Sequence, residues 1–127
     1  MNRGQPLIPW QWSLYPDNHR ARRNLVLHVL TVPLFQAGGL ALLAAPFVSG
    51  WLALGGVVAM ALAMAVQGAG HRGESVPPVP FAGPLDALSR IFVEQWITFP
   101  RYVLSGRFAA RWRGESNAEA AVKDRHI

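Results

Sequence analysis

The chain has no cysteine. That excludes a disulfide framework and a thiolate metal site, so any metal would have to be held by His, Asp, Glu, Asn or backbone oxygen. Charge is also scarce. Of the 127 residues, 15% are charged and 51% are apolar. A soluble domain of this size needs far more charge to cover its surface, whereas a chain that sinks its apolar surface in lipid does not. Residues 25–66 form a 42-residue stretch with no charged side chain at all. Lysine is nearly missing as well, with arginine supplying 11 of the 12 basic residues. No phosphate loop, dinucleotide fingerprint, zinc-finger spacing or serine-nucleophile motif is present. Nor is any nucleic-acid reader motif, so the net charge of +5 does not imply a nucleic-acid partner.

What is there reads as an all-α, integral membrane hairpin followed by interfacial amphipathic helices. Length allows one domain, taken here as residues 1–113, with residues 114–127 as a polar C-terminal tail. A helix capped by Asp17 or Asn18 is expected to run to about Ala45, with 21 apolar residues from Leu25 onward, close to the roughly 20 that cross a hydrocarbon core. Pro33 should kink it. Residues 45–51 are the expected turn, where Pro46 should end the first helix and Gly50 permit the reversal. The second helix, from Trp51 to Val66 or Gln67, looks short for a full crossing. Gly38, Gly39, Gly55 and Gly56 suit close packing of the two. All basic residues lie outside 25–66, which places both ends on the cytoplasmic side and favours contact with anionic membrane lipid. The apolar run begins too late, and is too long, for a cleaved signal peptide. Arg-, Ala- and Gly-heavy usage points to a bacterial source, hence to a bacterial inner (cytoplasmic) membrane.

Beyond the hairpin, residues 68–84 are rich in Gly and Pro and read as a structured loop. Residues 85–99 return to helical spacing, with Leu85, Leu88, Phe92 and Trp96 on one side and Arg90 and Glu94 spaced to pair. Pro100 interrupts this helix, and a second basic-aromatic stretch follows. Trp10, Trp12 and Tyr15 suit the head-group layer. Gln36 is expected to make a helix–helix hydrogen bond, and His126 is given no role.

The polar residues at the two ends of the uncharged stretch carry the chemistry. With a turn near residue 48, His28 stands level with residue 68, and His71 lies about 4–5 Å further out at 1.5 Å per residue. The two imidazoles can reach a common point. Asn24 is one turn from His28 and suits a hydrogen bond that orients the ring. Glu74 is three residues beyond His71 and can face the same way. His19 is harder to place: nine residues before His28, it would sit about 13.5 Å away on the opposite face of a continuous helix. Either the helix begins later and the chain folds back, or His19 serves the substrate or a second site. Ionisable groups at this depth are costly and mark function. Two histidines and a carboxylate with open positions are a donor set that holds Fe(II) and activates oxygen, and zinc accepts the same atoms. A non-catalytic hairpin that binds lipid or a partner explains the aromatic and basic flanks equally well, and a zinc-dependent membrane hydrolase is a third reading.

At these residues the chain resembles the 2-hydroxy fatty acid dioxygenase family. The first block is Tyr15, His19, Asn24, His28 and Pro33, spaced His-x4-Asn-x3-His-x4-Pro. The second is Gln67-x-x-Gly70-His71 followed by Glu74 and Pro77. The likeness covers roughly residues 12–105. It departs from the family in having one residue fewer between His71 and Glu74, Asn18 where an additional histidine often stands, and Pro77-Pro78 for Pro-Ala. The resemblance implies a membrane enzyme that uses Fe(II) and molecular oxygen, without 2-oxoglutarate, to shorten a 2-hydroxy fatty acid by one carbon. It implies His19, His28 and His71 as iron ligands, Glu74 as ligand or catalytic base, and Asn24 as the residue that orients a ligand. On this reading Arg72 or Arg23 pairs the carboxylate of the fatty-acyl substrate.

Overall fold

The fold is seen in a computed structural model that describes residues 3–115. Every regular element among them is helical: α1 (Leu7–Asn18), α2 (Arg22–Val48), α3 (Gly50–His71), α4 (Pro84–Val93), a π turn (Glu94–Thr98), α5 (Phe99–Leu104) and α6 (Arg107–Trp112). Of the tail expected over residues 114–127, residues 116–127, His126 included, lie outside the described residues.

α2 and α3 form the expected hairpin, and both are long and apolar enough to cross a membrane. At 1.5 Å per residue they measure about 40 Å and about 33 Å. Their outward faces are apolar and open, with Leu43 73%, Phe47 88%, Leu54 54% and Val58 57% exposed. Such a surface is stable against hydrocarbon and not against water, which points to membrane association.

The turn between them is tighter than residues 45–51. α2 passes through Pro46 and ends at Val48, and Ser49 alone makes the reversal. Its backbone is extended, its N–H donates to the Ala45 carbonyl, and its Oγ accepts from the Trp51 N–H at 3.2 Å, capping α3. α3 therefore starts earlier than expected, and it also ends later: Gly68 and Gly70 continue the helix to His71. Its 22 residues are enough for a crossing, so the hairpin is not a thin one. Glycine lowers helix propensity by about 1 kcal/mol, but at Gly70 packing overrides it. A Cβ there would collide with the Asn24 side chain.

The two helices meet through glycine. A Cβ on Gly38 would lie 2.7 Å from the Gly56 carbonyl oxygen, and one on Gly56 would lie 2.5 Å from that of Gly38. Without a driving hydrophobic effect in lipid, such close backbone approach is what holds transmembrane helices together.

At one end of the hairpin the remaining helices form a layer. α1 lies along α4 and the π turn: Gln11 Nε2 donates to the Arg90 carbonyl at 2.9 Å, and Thr98 Oγ1 donates to Gln11 Oε1. A small aromatic core of Tyr15, Phe99 and Tyr102, with Trp12 and Phe108 against it, fills the layer around Leu25 and Val32. Leu85 and Leu88 of α4 face outward, Leu85 79% exposed, as on a helix lying in an interface, whereas Phe92 meets Phe35 of α2 edge-on at 5.4 Å and Trp96, in the π turn, lies against Gly39. Arg90 does not pair with Glu94. It is buried between the Trp10 and Phe81 rings, and donates to the Val79 and Pro80 carbonyls and to Asp86.

Pro100 does not interrupt the chain of helices. The π turn absorbs it, with the Phe99 N–H donating back five residues to the Glu94 carbonyl. The next carbonyl in that register, Gln95, would need the N–H that Pro100 lacks. Gln36 of α2 supplies it, with Nε2 2.8 Å from the Gln95 oxygen. This is the interhelical hydrogen bond expected of Gln36.

Gly56→Ala is expected to destabilise the hairpin by about 1–3 kcal/mol, the usual cost of overpacking. Gly55→Ala, where a Cβ meets nothing within 4 Å, should not destabilise it and should add up to about 1 kcal/mol through helix propensity. Denaturation in mixed micelles followed by circular dichroism measures both.

Candidate metal centre

The chain breaks helix between α1 and α2, and the break places His19. Residues 19–21 are non-helical, with His19 at φ −134°, ψ 58°. The imidazole turns back toward His28, nearly two turns into α2. The difficulty of a continuous helix is thereby removed, because the helix that carries His28 starts after His19.

Glu74 holds the break. Its Oε2 accepts from the Arg20 N–H at 2.9 Å, and its Oε1 accepts from the Ala21 N–H at 2.8 Å and from Asn24 Nδ2 at 3.2 Å. α2 has no cap from its own N-terminal side chains, and Glu74 provides one from across the hairpin. The turn after His71, in which the Gly73 N–H bonds to the Gly70 carbonyl and the Glu74 N–H to that of His71, aims the carboxylate there.

The fourth donor of the centre is Glu94, at the start of the π turn. One ligand atom each from His19, His28, His71 and Glu94 lies within 4.8 Å of every other, a group that can hold a metal ion. The roles of the ring nitrogens follow from their outer partners. His19 Nδ1 is 2.9 Å from the Tyr15 carbonyl oxygen, and His28 Nδ1 is 2.9 Å from that of Asn24. A carbonyl only accepts, so each Nδ1 carries the proton and each Nε2 presents a lone pair. The two Nε2 atoms are 3.3 Å apart. Glu94 Oε1 lies 3.5 Å from the first and 3.3 Å from the second. Donors held about 2.0–2.2 Å from a metal sit about 3.3–3.6 Å apart at tetrahedral corners, and the observed separations match. His71 completes the set, its ring centroid 4.7 Å from that of His19 and 5.0 Å from that of His28. Its Nδ1 is buried without a hydrogen-bond partner.

Electrostatics agree with the geometry. Burial pushes the His19 imidazole below its ordinary pKa, although Glu94 pulls the other way. Burial by itself would raise the Glu94 carboxyl, but the His19 and His28 rings outweigh it and hold the group well below the carboxylate range. An ionised Glu94 carboxylate thus faces the ring nitrogens of His19 and His28. Burying such a charge uncompensated costs several kcal/mol, and a cation removes that cost.

The centre opens on a cavity of about 570 Å³. His19, His71 and Glu94 line it, and its walls are largely apolar, including Leu14, Met64, Val79 and Phe81. Arg72 is on the cavity wall and exposed. Arg23 is not on that wall; its guanidinium lies near Gly73. Comparison of the chain with family models, curated proteins and solved structures gives no match.

The structure thus brings His19, His28 and His71 together as donors and sets Glu74 apart, its oxygens taken by backbone N–H groups. Asn24 orients His28 through its backbone carbonyl, while its side chain serves Glu74. Glu94 was hidden by its spacing from Arg90, which reads as an ion pair. The available signal was a Glu94-Gln95 pair inside an otherwise apolar run just ahead of Pro100.

Metal titration should separate these roles. His28→Ala and Glu94→Gln are expected to lose high-affinity binding. Glu74→Gln, which sets an amide donor against backbone donors, should keep the site and weaken it about 10–100-fold. Calorimetry on the detergent-solubilised protein reads the affinities, and equal loss in the Glu74 and Glu94 variants would contradict the division.

Proposed function

We propose that this chain is a membrane-embedded Fe(II)-dependent dioxygenase that shortens 2-hydroxy fatty acids by one carbon. The observation that carries the reading is the three-imidazole, one-carboxylate centre at one end of a largely apolar cavity. The resemblance of the two histidine blocks to the 2-hydroxy fatty acid dioxygenase family narrows it to that substrate and reaction.

His19, His28, His71 and Glu94 would hold the iron. Nitrogen and carboxylate donors of this kind suit Fe(II), and the ion would supply positions for dioxygen and for the substrate's 2-hydroxy-carboxylate. The protein's own residues do the rest. The Tyr15 and Asn24 carbonyls fix which nitrogen His19 and His28 present. Leu14, Met64, Val79 and Phe81 would receive the acyl chain and exclude water. Arg72, on the cavity wall, is the arginine placed to pair the substrate carboxylate. The basic residues flanking the hairpin support a site on the cytoplasmic face of a bacterial inner membrane.

The test is a product assay on the purified protein in detergent with dioxygen and 2-hydroxypalmitate. Mass spectrometry should detect the acid one carbon shorter with Fe(II), not with Zn(II), and not in the His71→Ala variant. No product from protein that has bound iron would overturn the reading.

A further inference from the structure

The chain has only two tyrosines, and both are buried beside the metal centre. The Tyr15 ring stacks on the His19 imidazole, with centroids 3.8 Å apart and planes inclined by 18°. Its hydroxyl donates to Glu94 Oε1 at 3.1 Å. Tyr102 meets the Tyr15 ring edge-on at 5.1 Å, and half-buried Trp12 meets Tyr102 at 6.3 Å. Above Trp12 lie the guanidinium groups of Arg101 and Arg107, at 4.0 and 4.7 Å from its ring centre. An unbroken row of rings therefore leads from a proposed metal ligand toward the arginine-rich surface of the layer.

Packing alone explains aromatic rings in a small core. Two phenylalanine rings share that core, Phe99 5.9 Å from the His28 ring and Phe108 6.5 Å from that of Tyr102, but of these rings it is the phenol of Tyr15 that is hydrogen-bonded to the Glu94 carboxylate. Phenol and indole are the side chains from which one electron is most readily removed in a protein without cysteine, whereas a phenylalanine ring does not give one up under these conditions. A phenol releases its electron most easily when a base takes its proton, and Glu94 Oε1 is at hydrogen-bond distance for that.

We propose that Tyr15 is a redox-active residue of the metal centre and that Tyr102 and Trp12 carry oxidising equivalents from it to the surface. The proposal rests on the Fe(II) reading given above. When a peroxide reaches the ferrous centre with no fatty acid in the cavity, reduction to two waters takes two electrons and two protons. An iron ion held by the four donors would supply one electron; Tyr15 gives the other. The Tyr15 proton passes by way of Glu94, and the second proton comes from solvent. The neutral phenoxyl radical on Tyr15 is then refilled by an electron from Tyr102, and Tyr102 by one from Trp12; each ring that regains an electron regains a proton and each that gives one up releases its proton, so the balance is one proton taken up at Tyr15 by way of Glu94 and one released at Trp12. The arginines beside Trp12 disfavour a positively charged indole, so Trp12 loses its N–H proton to solvent as it loses the electron. A soluble reductant restores it. The relay draws the oxidant away from the histidine ligands when substrate is absent.

The experiment loads the full chain with Fe(II) anaerobically, mixes it with hydrogen peroxide without fatty acid, and freezes it for electron paramagnetic resonance. Protein made with ring-deuterated tyrosine should show an organic radical with a narrowed spectrum. In Tyr102→Phe the one remaining tyrosine is Tyr15, and the tyrosine-type signal should persist. In Tyr15→Phe it should fall at least tenfold at unchanged iron content, and in Trp12→Phe it should decay several-fold more slowly. Ferric iron without a tyrosine radical, or loss of the signal in Tyr102→Phe, overturns the proposal even if Tyr15→Phe does not fold. The shortened acid formed by a protein that gives no radical removes the relay and leaves the dioxygenase reading standing. Failure to bind iron removes both.

Discussion

The carboxylate of Glu74 accepts two successive backbone N–H groups, those of Arg20 and Ala21, and the arrangement of the centre depends on it. An uncapped helix start leaves N–H groups without partners. α2 lacks a cap of its own, and the charge it borrows from beyond α3 also complements the positive end of its dipole. Because that end is stabilised at residue 22 and not near 17, His19 falls outside the helix and its ring can approach His28. The same carboxylate ties the segment after His71 to the segment after His19. The α1–α2 break, the start of α2 and the end of α3 are thus fastened together before any ion is considered.

The fourth ligand arrives by a different device. A regular α-helix through residues 84–104 would put Pro100 against a carbonyl with no donor. The π turn displaces the ladder by one residue, and three glutamines absorb the disturbance. Gln36 bonds the Gln95 carbonyl, and Gln67 and Gln95 exchange side-chain hydrogen bonds at 3.0 and 2.7 Å. Thr31 accepts a further bond from Gln67 at 3.1 Å. This network is buried, and a half-satisfied one would be worse than none. Complete, it fixes the turn against both membrane helices, so Glu94 projects toward the imidazoles from a rigid base. Wide helical turns are frequent at functional sites for this reason.

The hairpin was legible in the sequence because an uncharged 42-residue stretch with small residues at matched depths has few other ways to be stable. His28 and His71 were legible because rise per residue alone puts them level. Three things were not. The length of α3 was hidden by glycines that ordinarily mark a loop, and whose role at Gly70 is to admit Asn24, a residue 46 positions away. The role of Glu74 was hidden because a carboxylate near a histidine reads as a ligand, and the backbone N–H groups it caps have no signature of their own. Glu94 was hidden because Arg90 stands one helical turn before it. Only the packing shows that Arg90 is spent on Trp10, Phe81 and the loop carbonyls. In each case a local rule lost to a contact between segments distant in sequence.

Glu94, the Nε2 atoms of His19 and His28, and His71 come from four separate elements, and each presents an acceptor to the same small volume. The hydroxyl of Tyr15 satisfies one lone pair of the carboxylate but carries no positive charge, and the Nδ1 protons of His19 and His28 are already given to carbonyls. Such a set can hold a metal ion. A cation bound there would couple the break, both membrane helices and the π turn, so metal binding and ordering of the interfacial layer become one equilibrium. The cavity is formed between that layer and α3, with Trp10, Val79 and Phe81 on one side and Met64 and Gly68 on the other. It follows that the ion would set not only the chemistry at the end of the cavity but also the spacing of its walls.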